Sequence, residues 1–284
     1  MIKHIRLVGI LAVLLLQLFL LPLNGYAQNS VNELLSRGWE YLQKQMYDDA
    51  IREYSKAIAT DPANIYAYGN RGMAYKGKRD WDNALSDFIK VIEIDARSFG
   101  GYFNRASIYK LKGDFDHAIS DYSRALEIYP AFSEGYYNRG YSYDQKGDLD
   151  RAIADYSKTI ELNPKSGDSY YNRGNAYKHK GELDLAIADY NKALEINPQD
   201  FDVYCNRGNT YREKGDIDQA VADYNTAIEQ NPGSALAYGN RAQAYYLKKQ
   251  FTSAWADVRK VEELGGSVPN DFLELLKQAA PNGE

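Results

Sequence analysis

The sequence predicts an all-α fold, a solenoid of tandem helical hairpins. Three observations carry that prediction: a 34-residue period without insertions, apolar positions at helical spacing inside each period, and no stretch that alternates with period two. The composition agrees, because Tyr occurs 26 times against nine Phe and three Trp, as a repeated core position would require.

Written from Val31, the period gives seven blocks, residues 31–64, 65–98, 99–132, 133–166, 167–200, 201–234 and 235–268. Position 8 is always small (Gly38, Gly72, Ala106, Gly140, Gly174, Gly208, Ala242) and position 20 is alanine from Ala50 to Ala254. Two helices must approach closely there. Position 11 is tyrosine in every block, and position 24 is Tyr54, Phe88, Tyr122, Tyr156, Tyr190, Tyr224 and Val258. Large rings at both positions are expected to fill the space that the small residues leave. Glycines at position 15 (Gly113, Gly147, Gly181, Gly215) suit the end of the first helix, Asp82, Asp116, Asp150, Asp184 and Asp218 at position 18 suit a cap on the second, and prolines at position 32 stop it. Each block is thus a helix-turn-helix.

This pattern of small 8, Tyr 11, Ala 20, aromatic 24, apolar 27 and Pro 32 resembles the tetratricopeptide repeat family across residues 31–268. The resemblance implies a right-handed α-solenoid with a concave peptide-binding groove. Ala96 and Gly266 depart from the proline position, and Val258 from the aromatic one. Residues 269–284 form an expected capping helix and tail, with Phe272, Leu275, Leu276 and Ala279 on one stripe to cover the last repeat. Ser30 and Glu33 have the spacing of a capping box for the first helix.

The amino terminus has the form of an export signal: Lys3 and Arg6, an apolar run from Leu7 to Leu23, then Gly25 and Ala27 before Gln28. Residues 1–27 are the expected signal peptide and 28–268 the repeat domain, periplasmic or secreted. Uncleaved, the same segment would anchor the protein to a membrane. Loss of Lys3 and Arg6 leaves 39 acidic against 32 basic residues, a balance that disfavours nucleic acid. The single cysteine, Cys205, permits no intramolecular disulfide.

The blocks offer no expected catalytic chemistry. His117 and His179 lie two blocks apart, no glycine-rich phosphate loop is present, and no cofactor or metal site is expected. Two rows stand out instead. Position 7, usually apolar in the resembled family, is arginine in every block, and position 23 is always an acid. The pairs Arg71 and Asp87, Arg105 and Asp121, Arg139 and Asp155, Arg173 and Asp189, Arg207 and Asp223, and Arg241 and Asp257 are expected to form a structural ladder, with Arg37 and Glu53 as its first rung. Whether each pair closes within or between repeats is open at this stage.

Position 6 is Asn70, Asn104, Asn138, Asn172, Asn206 and Asn240, which the resemblance places on the concave face. Exposed carboxamides there could hold the backbone of an extended peptide, beside Trp39, Tyr137, Tyr141 and Tyr171. Positions 2 and 5 contain no base, so the expected partner is a neutral or mildly basic protein segment and not an acidic C-terminal tail. The functional expectation is a non-catalytic interaction scaffold or adaptor. A self-associating spacer of an envelope complex is the alternative, followed by an accessory subunit tied to an enzyme such as a glycosyltransferase. The mature chain is expected to begin at Gln28. Intact-mass measurement of the exported protein checks this, and recovery of residues 1–27 in a membrane fraction would show an anchored protein instead.

Overall fold

The computed structural model describes residues 25–281, with side chains from Ser30 onward, and over that range the chain is all-helical with no strand. The segment 1–24, most of the expected export signal, lies outside the described residues. No described helix is long and apolar enough to cross a membrane.

Two compact units divide the chain, the first ending at Ala96 and the second beginning at Arg97. The first contains α1 (Gly25–Gln43), α2 (Tyr47–Thr60), α3 (Ile65–Gly77) and α4 (Trp81–Ile94). The second contains α5 (Phe99–Leu111), α6 (Phe115–Ile128), α7 (Ser133–Gln145), α8 (Leu149–Leu162), α9 (Gly167–His179), α10 (Leu183–Ile196), α11 (Phe201–Lys214), α12 (Ile217–Gln230), α13 (Ala235–Leu247), α14 (Phe251–Glu263) and α15 (Asn270–Ala279). Within each unit every helix packs on the next, so each is a stack of hairpins.

The hairpin interior follows from size complementarity. Ala50, Ala84, Ala118, Ala152, Ala186, Ala220 and Ala254 are fully buried, as are the rings at position 24. A Cβ added at Gly38 would sit 2.6 Å from Tyr54 Cε1, at Gly72 2.8 Å from Phe88 Cε1, and at Gly208 2.7 Å from Tyr224 Cε1. At these glycines the position-24 ring therefore lies on the backbone of the first helix, while in the third repeat Ala106 and Tyr122 are both fully buried, so a methyl group is the most that this position carries. Where Val258 replaces the ring, Ala242 is accommodated with both residues buried.

The helix ends correct two expectations. Three of the second helices are capped from position 16, where Asp80, Asp114 and Asp148 accept hydrogen bonds from the backbone N–H groups of Asn83, His117 and Arg151. The acids at position 18 already lie inside the first turn, where they favour the positive end of the helix dipole but cannot reach the N3 amide. The Ser30 and Glu33 pair caps nothing, because α1 starts at Gly25 and both residues are within it. First helices are capped from the last residue of the preceding block, with Asn64, Ser98, Asp200 and Ser234 accepting from Ala67, Gly101, Val203 and Ala237. Helix α4 ends at Ile94 although Ala96 stands where other blocks have proline, so proline is not needed to stop it.

At the other end, α15 lays Phe272 and Leu276 against Ala242, Ala254 and Val258. Trp255 Nε1 donates to the Ala280 carbonyl at 3.0 Å, which ties the end of this helix to α14.

The turn within each hairpin needs a left-handed residue at position 15. Gly113, Gly147, Gly181 and Gly215 have φ between 76° and 94° there, and Gln45, Arg79 and Lys249 adopt φ of 56–61° with a side chain attached. A left-handed non-glycine costs about 1–2 kcal/mol, of which glycine's extra unfolded freedom returns part. Arg79→Gly and Lys249→Gly should each raise stability by about 0.5–1 kcal/mol and Gly147→Ala should lower it. Thermal melts of the three variants check both signs.

Candidate functional site

The arginine at position 7 is the most connected residue of each repeat. Arg139 donates from Nε to Asp155 Oδ2 at 2.7 Å and from Nη2 to Asp155 Oδ1 at 2.8 Å. The same two-bond fork joins Arg71 to Asp87, Arg105 to Asp121, Arg173 to Asp189, Arg207 to Asp223 and Arg241 to Asp257. All of these pairs close within a repeat. Their carboxylates are buried and the arginine side chains about one-fifth exposed. Burial pushes the Asp87 and Asp223 carboxyls up while the guanidinium beside each pulls them down. The fork itself, with both oxygens bonded, is the geometry of an ionised pair.

The free Nη1 then reaches back one repeat. Arg71 donates to Ser55 at 3.0 Å, Arg139 to Ser123 at 3.0 Å, Arg173 to Ser157 at 2.9 Å, Arg207 to Asn191 at 2.5 Å and Arg241 to Asn225 at 2.7 Å. These acceptors share position 25, which carries no signal in hydropathy and shows its role only once the arginine has a direction. Tyrosines at positions 4 and 11 flank the guanidinium, as Tyr170 and Tyr177 do for Arg173 at 5.7 and 5.9 Å. The position-11 rings thus have two parts: Tyr75, Tyr177, Tyr211 and Tyr245 wall the guanidinium, and Tyr41, Tyr109, Tyr177, Tyr211 and Tyr245 pack against the core clusters that hold the small residues.

A second link between repeats lies on the exposed turns. Lysines at position 14 pair with position-18 acids of the preceding repeat, Lys180 with Asp150 at 2.7 Å and Lys214 with Asp184 at 2.8 Å, and likewise Lys78 with Asp48, Lys146 with Asp116 and Lys248 with Asp218. The acids are about 80% exposed, so each pair contributes roughly 0–1 kcal/mol.

The expected groove residues are brought together in the second unit, but not as a free row of amides. Asn138 is only 7% exposed; its Nδ2 donates to the Glu134 carbonyl at 2.8 Å and its Oδ1 accepts from Lys110 Nζ at 2.6 Å. Asn172 donates to the Tyr137 hydroxyl at 3.0 Å and Asn206 to the Tyr171 hydroxyl at 2.6 Å, each reaching the preceding repeat. Asn240 is buried with its Nδ2 unpartnered, since the residue that would supply the hydroxyl is Cys205. Asn70 and Asn104 are half-buried. The amides of Asn138, Asn172 and Asn206 are therefore engaged by the protein's own groups, and the tyrosines Tyr137, Tyr141 and Tyr171 beside them are half-buried. Burial raises the Tyr137 and Tyr171 phenols and lowers the Lys110 ammonium. Lys110 Nζ also lies over the Tyr141 ring at 5.5 Å.

Trp39 is half-buried on α1 in the first unit. Cys205 is 4% exposed and packs in a cluster with Ala227 and Ala237; burial, with Asp202 and Asp223 nearby, pushes its thiol up to about 12. A thiol so placed is a packing residue and is not poised to form a disulfide with a partner. His117 stacks on Tyr109 and contacts Asp114 at 2.8 Å, while His179 is exposed. Among the described residues no group of His, Cys, Asp and Glu could hold a metal ion.

Breaking a largely buried pair from one side leaves an uncompensated charge. Arg139→Ala and Asp155→Ala should each lower stability by on the order of 3 kcal/mol, and Ser123→Ala by about 1 kcal/mol. The Arg139→Ala/Asp155→Ala double variant should lose less than the sum of the singles. Denaturant melts of the set check this, and simple additivity would mean that the two residues do not act as a pair.

Comparison with known proteins agrees with this architecture. A family model described as a TPR repeat matches residues 38–79, 174–212 and 208–249, and models described as tetratricopeptide repeat match 65–98, 101–132, 133–166 and 156–188. No curated protein matches the chain. Among solved structures it is similar to the MamA protein, with 28% identity over 61% of this chain and 94% of that one at a TM-score of 0.56. A tetratricopeptide repeat protein from Parabacteroides merdae shares 23% identity over 89% of this chain and all of its own, at a TM-score of 0.63. YrrB, described as a TPR protein with an unusual peptide-binding site, shares 22% over 65% of this chain and 95% of its own, at 0.59. Repeat matches in both units, helix pairs throughout the described residues and these neighbours agree: the chain belongs to the tetratricopeptide repeat family, whose members are protein-interaction scaffolds.

Proposed function

We propose that the protein is an exported, non-catalytic adaptor that holds an extended segment of a partner protein against the first helices of its second unit. The observation that carries this reading is a set of contacts between neighbouring repeats: Lys110 with Asn138 and with the Tyr141 ring, Asn172 with Tyr137, and Asn206 with Tyr171. It fixes aromatic side chains in successive repeats. Rigid tyrosines give contact area at low conformational cost and keep one polar end for a peptide backbone. The peptide-binding site of YrrB supports the same use of a similar fold. The acids Glu134, Asp168 and Asp202 beside this wall favour a neutral or mildly basic segment over an acidic tail.

Site-specific photo-crosslinking tests the reading. A benzoylphenylalanine at position 141 should capture a partner in envelope extract that mass spectrometry can identify, whereas the same probe at the exposed Glu229 of α12 should not. Capture from position 229 alone would remove the groove from the function.

A further inference from the structure

Position 12 of the repeat is Lys76, Lys110, Lys178 and Arg212 in blocks two, three, five and six, but Asp144 in block four. Asp144 lies on α7 three residues beyond Tyr141 and seven beyond Tyr137, so the three side chains share one stripe of that helix. The Asp144 side chain is half-buried, and among the described residues its carboxylate has no hydrogen bond and no ion pair. Neither basic neighbour in the row answers it. Lys110 is committed to Asn138 and the Tyr141 ring, and the charges that act on Lys178 are Glu213 and Arg212. Burial pushes the Asp144 carboxyl up, and the exposed His179 of α9 opposes this only in part.

Behind the stripe stands Tyr156, fully buried, its ring 6.0 Å from that of Tyr137 and its hydroxyl without a partner. In the next two repeats the equivalent hydroxyls of Tyr190 and Tyr224 donate to Asn175 and Asn209 at position 9, where this repeat has Tyr141. This repeat has thus exchanged a polar partner for a ring and a lysine for an acid. A partly desolvated carboxylate without a donor is unfavourable in the free protein, and an arriving cation relieves it. The ring faces beside it suit the same ligand, since Tyr141 already carries the Lys110 ammonium on one side.

We propose that the fourth repeat holds one lysine or arginine side chain of the partner segment, its charged head on Asp144 and its alkyl stem along Tyr137 and Tyr141. This deepens the groove reading above and rests on it. The flanking Lys110 and Lys178 repel further bases on either side, so the site selects an isolated basic residue and not a polybasic run.

Selection of a phage-displayed random dodecapeptide library on the protein, followed by synthesis of a recovered peptide, tests this. Recovered sequences should be enriched in a single Lys or Arg. Asp144→Asn, which keeps the side-chain shape, should weaken the peptide about tenfold, and so should replacement of the peptide's base by Met; in the Asp144→Asn protein the Met replacement should have little further effect. Peptides that bind without a basic residue, or with equal affinity to Asp144→Asn, overturn the proposal and leave the groove standing, provided that Tyr141→Ala weakens them. Peptides unaffected by Tyr141→Ala, or none recovered, would remove the groove reading and this site together.

Discussion

One interaction recurs in five of the repeats, those of Arg71, Arg139, Arg173, Arg207 and Arg241: a guanidinium held between a carboxylate of its own hairpin, a hydroxyl or amide of the hairpin before it, and tyrosine rings. In Arg173 these are Asp189, Ser157, Tyr170 and Tyr177. A planar cation with donors along both edges is the side chain that can satisfy two helices at fixed angles simultaneously; a lysine in its place would lose the fork. The contacts of Asn172 with Tyr137 and of Asn206 with Tyr171 depend on this registration, because each reaches the preceding repeat only when neighbouring hairpins stand at the right spacing.

The division between structural and ligand-facing residues differs from the one that the pattern alone suggests. Repetition marks what the stack needs, and function is better sought where repetition fails. Arginine, alanine and the position-6 asparagine recur and are consumed by packing and inter-repeat bonds. Asp144, Cys205 and the Tyr141 that stands where the next two repeats have Asn do not recur, and beside them the Tyr156 hydroxyl and the Asn240 amide lack partners, as the Tyr54 and Tyr122 hydroxyls do elsewhere.

Much of the fold was legible in the sequence because steric constraints are local. A glycine opposite a tyrosine sixteen residues on, as with Gly38 and Tyr54, is a contact written in the spacing. The pairing of Arg139 with Asp155 could be guessed from matched charge, but its closure within the repeat depends on side-chain direction, which spacing does not give. Caps were misplaced by two residues because Asp80 and Asp82 are equally good chemically, and only the start of α4 distinguishes them. The asparagine row was misread as exposed because burial of a polar side chain depends on partners from the neighbouring hairpin. Lys110 beside Asn138 is such a partner, and twenty-eight residues of sequence separate them.

The first rung of the ladder differs from the rest. Arg37 is 54% exposed, makes a single bond to Glu53 at 3.0 Å, and shares that acid with Lys56. A stack held by nearest-neighbour bonds opens from the end where those bonds are weakest. Within the first unit, the hairpin of α1 and α2 is therefore where amide hydrogens exchange sooner and where a protease or a chaperone would find the chain, while α15, locked through Trp255, protects the C-terminal end of the second unit from the same fraying. In the first unit, the order in which the hairpins open is written into the difference between the forked Arg71 and the singly bonded Arg37.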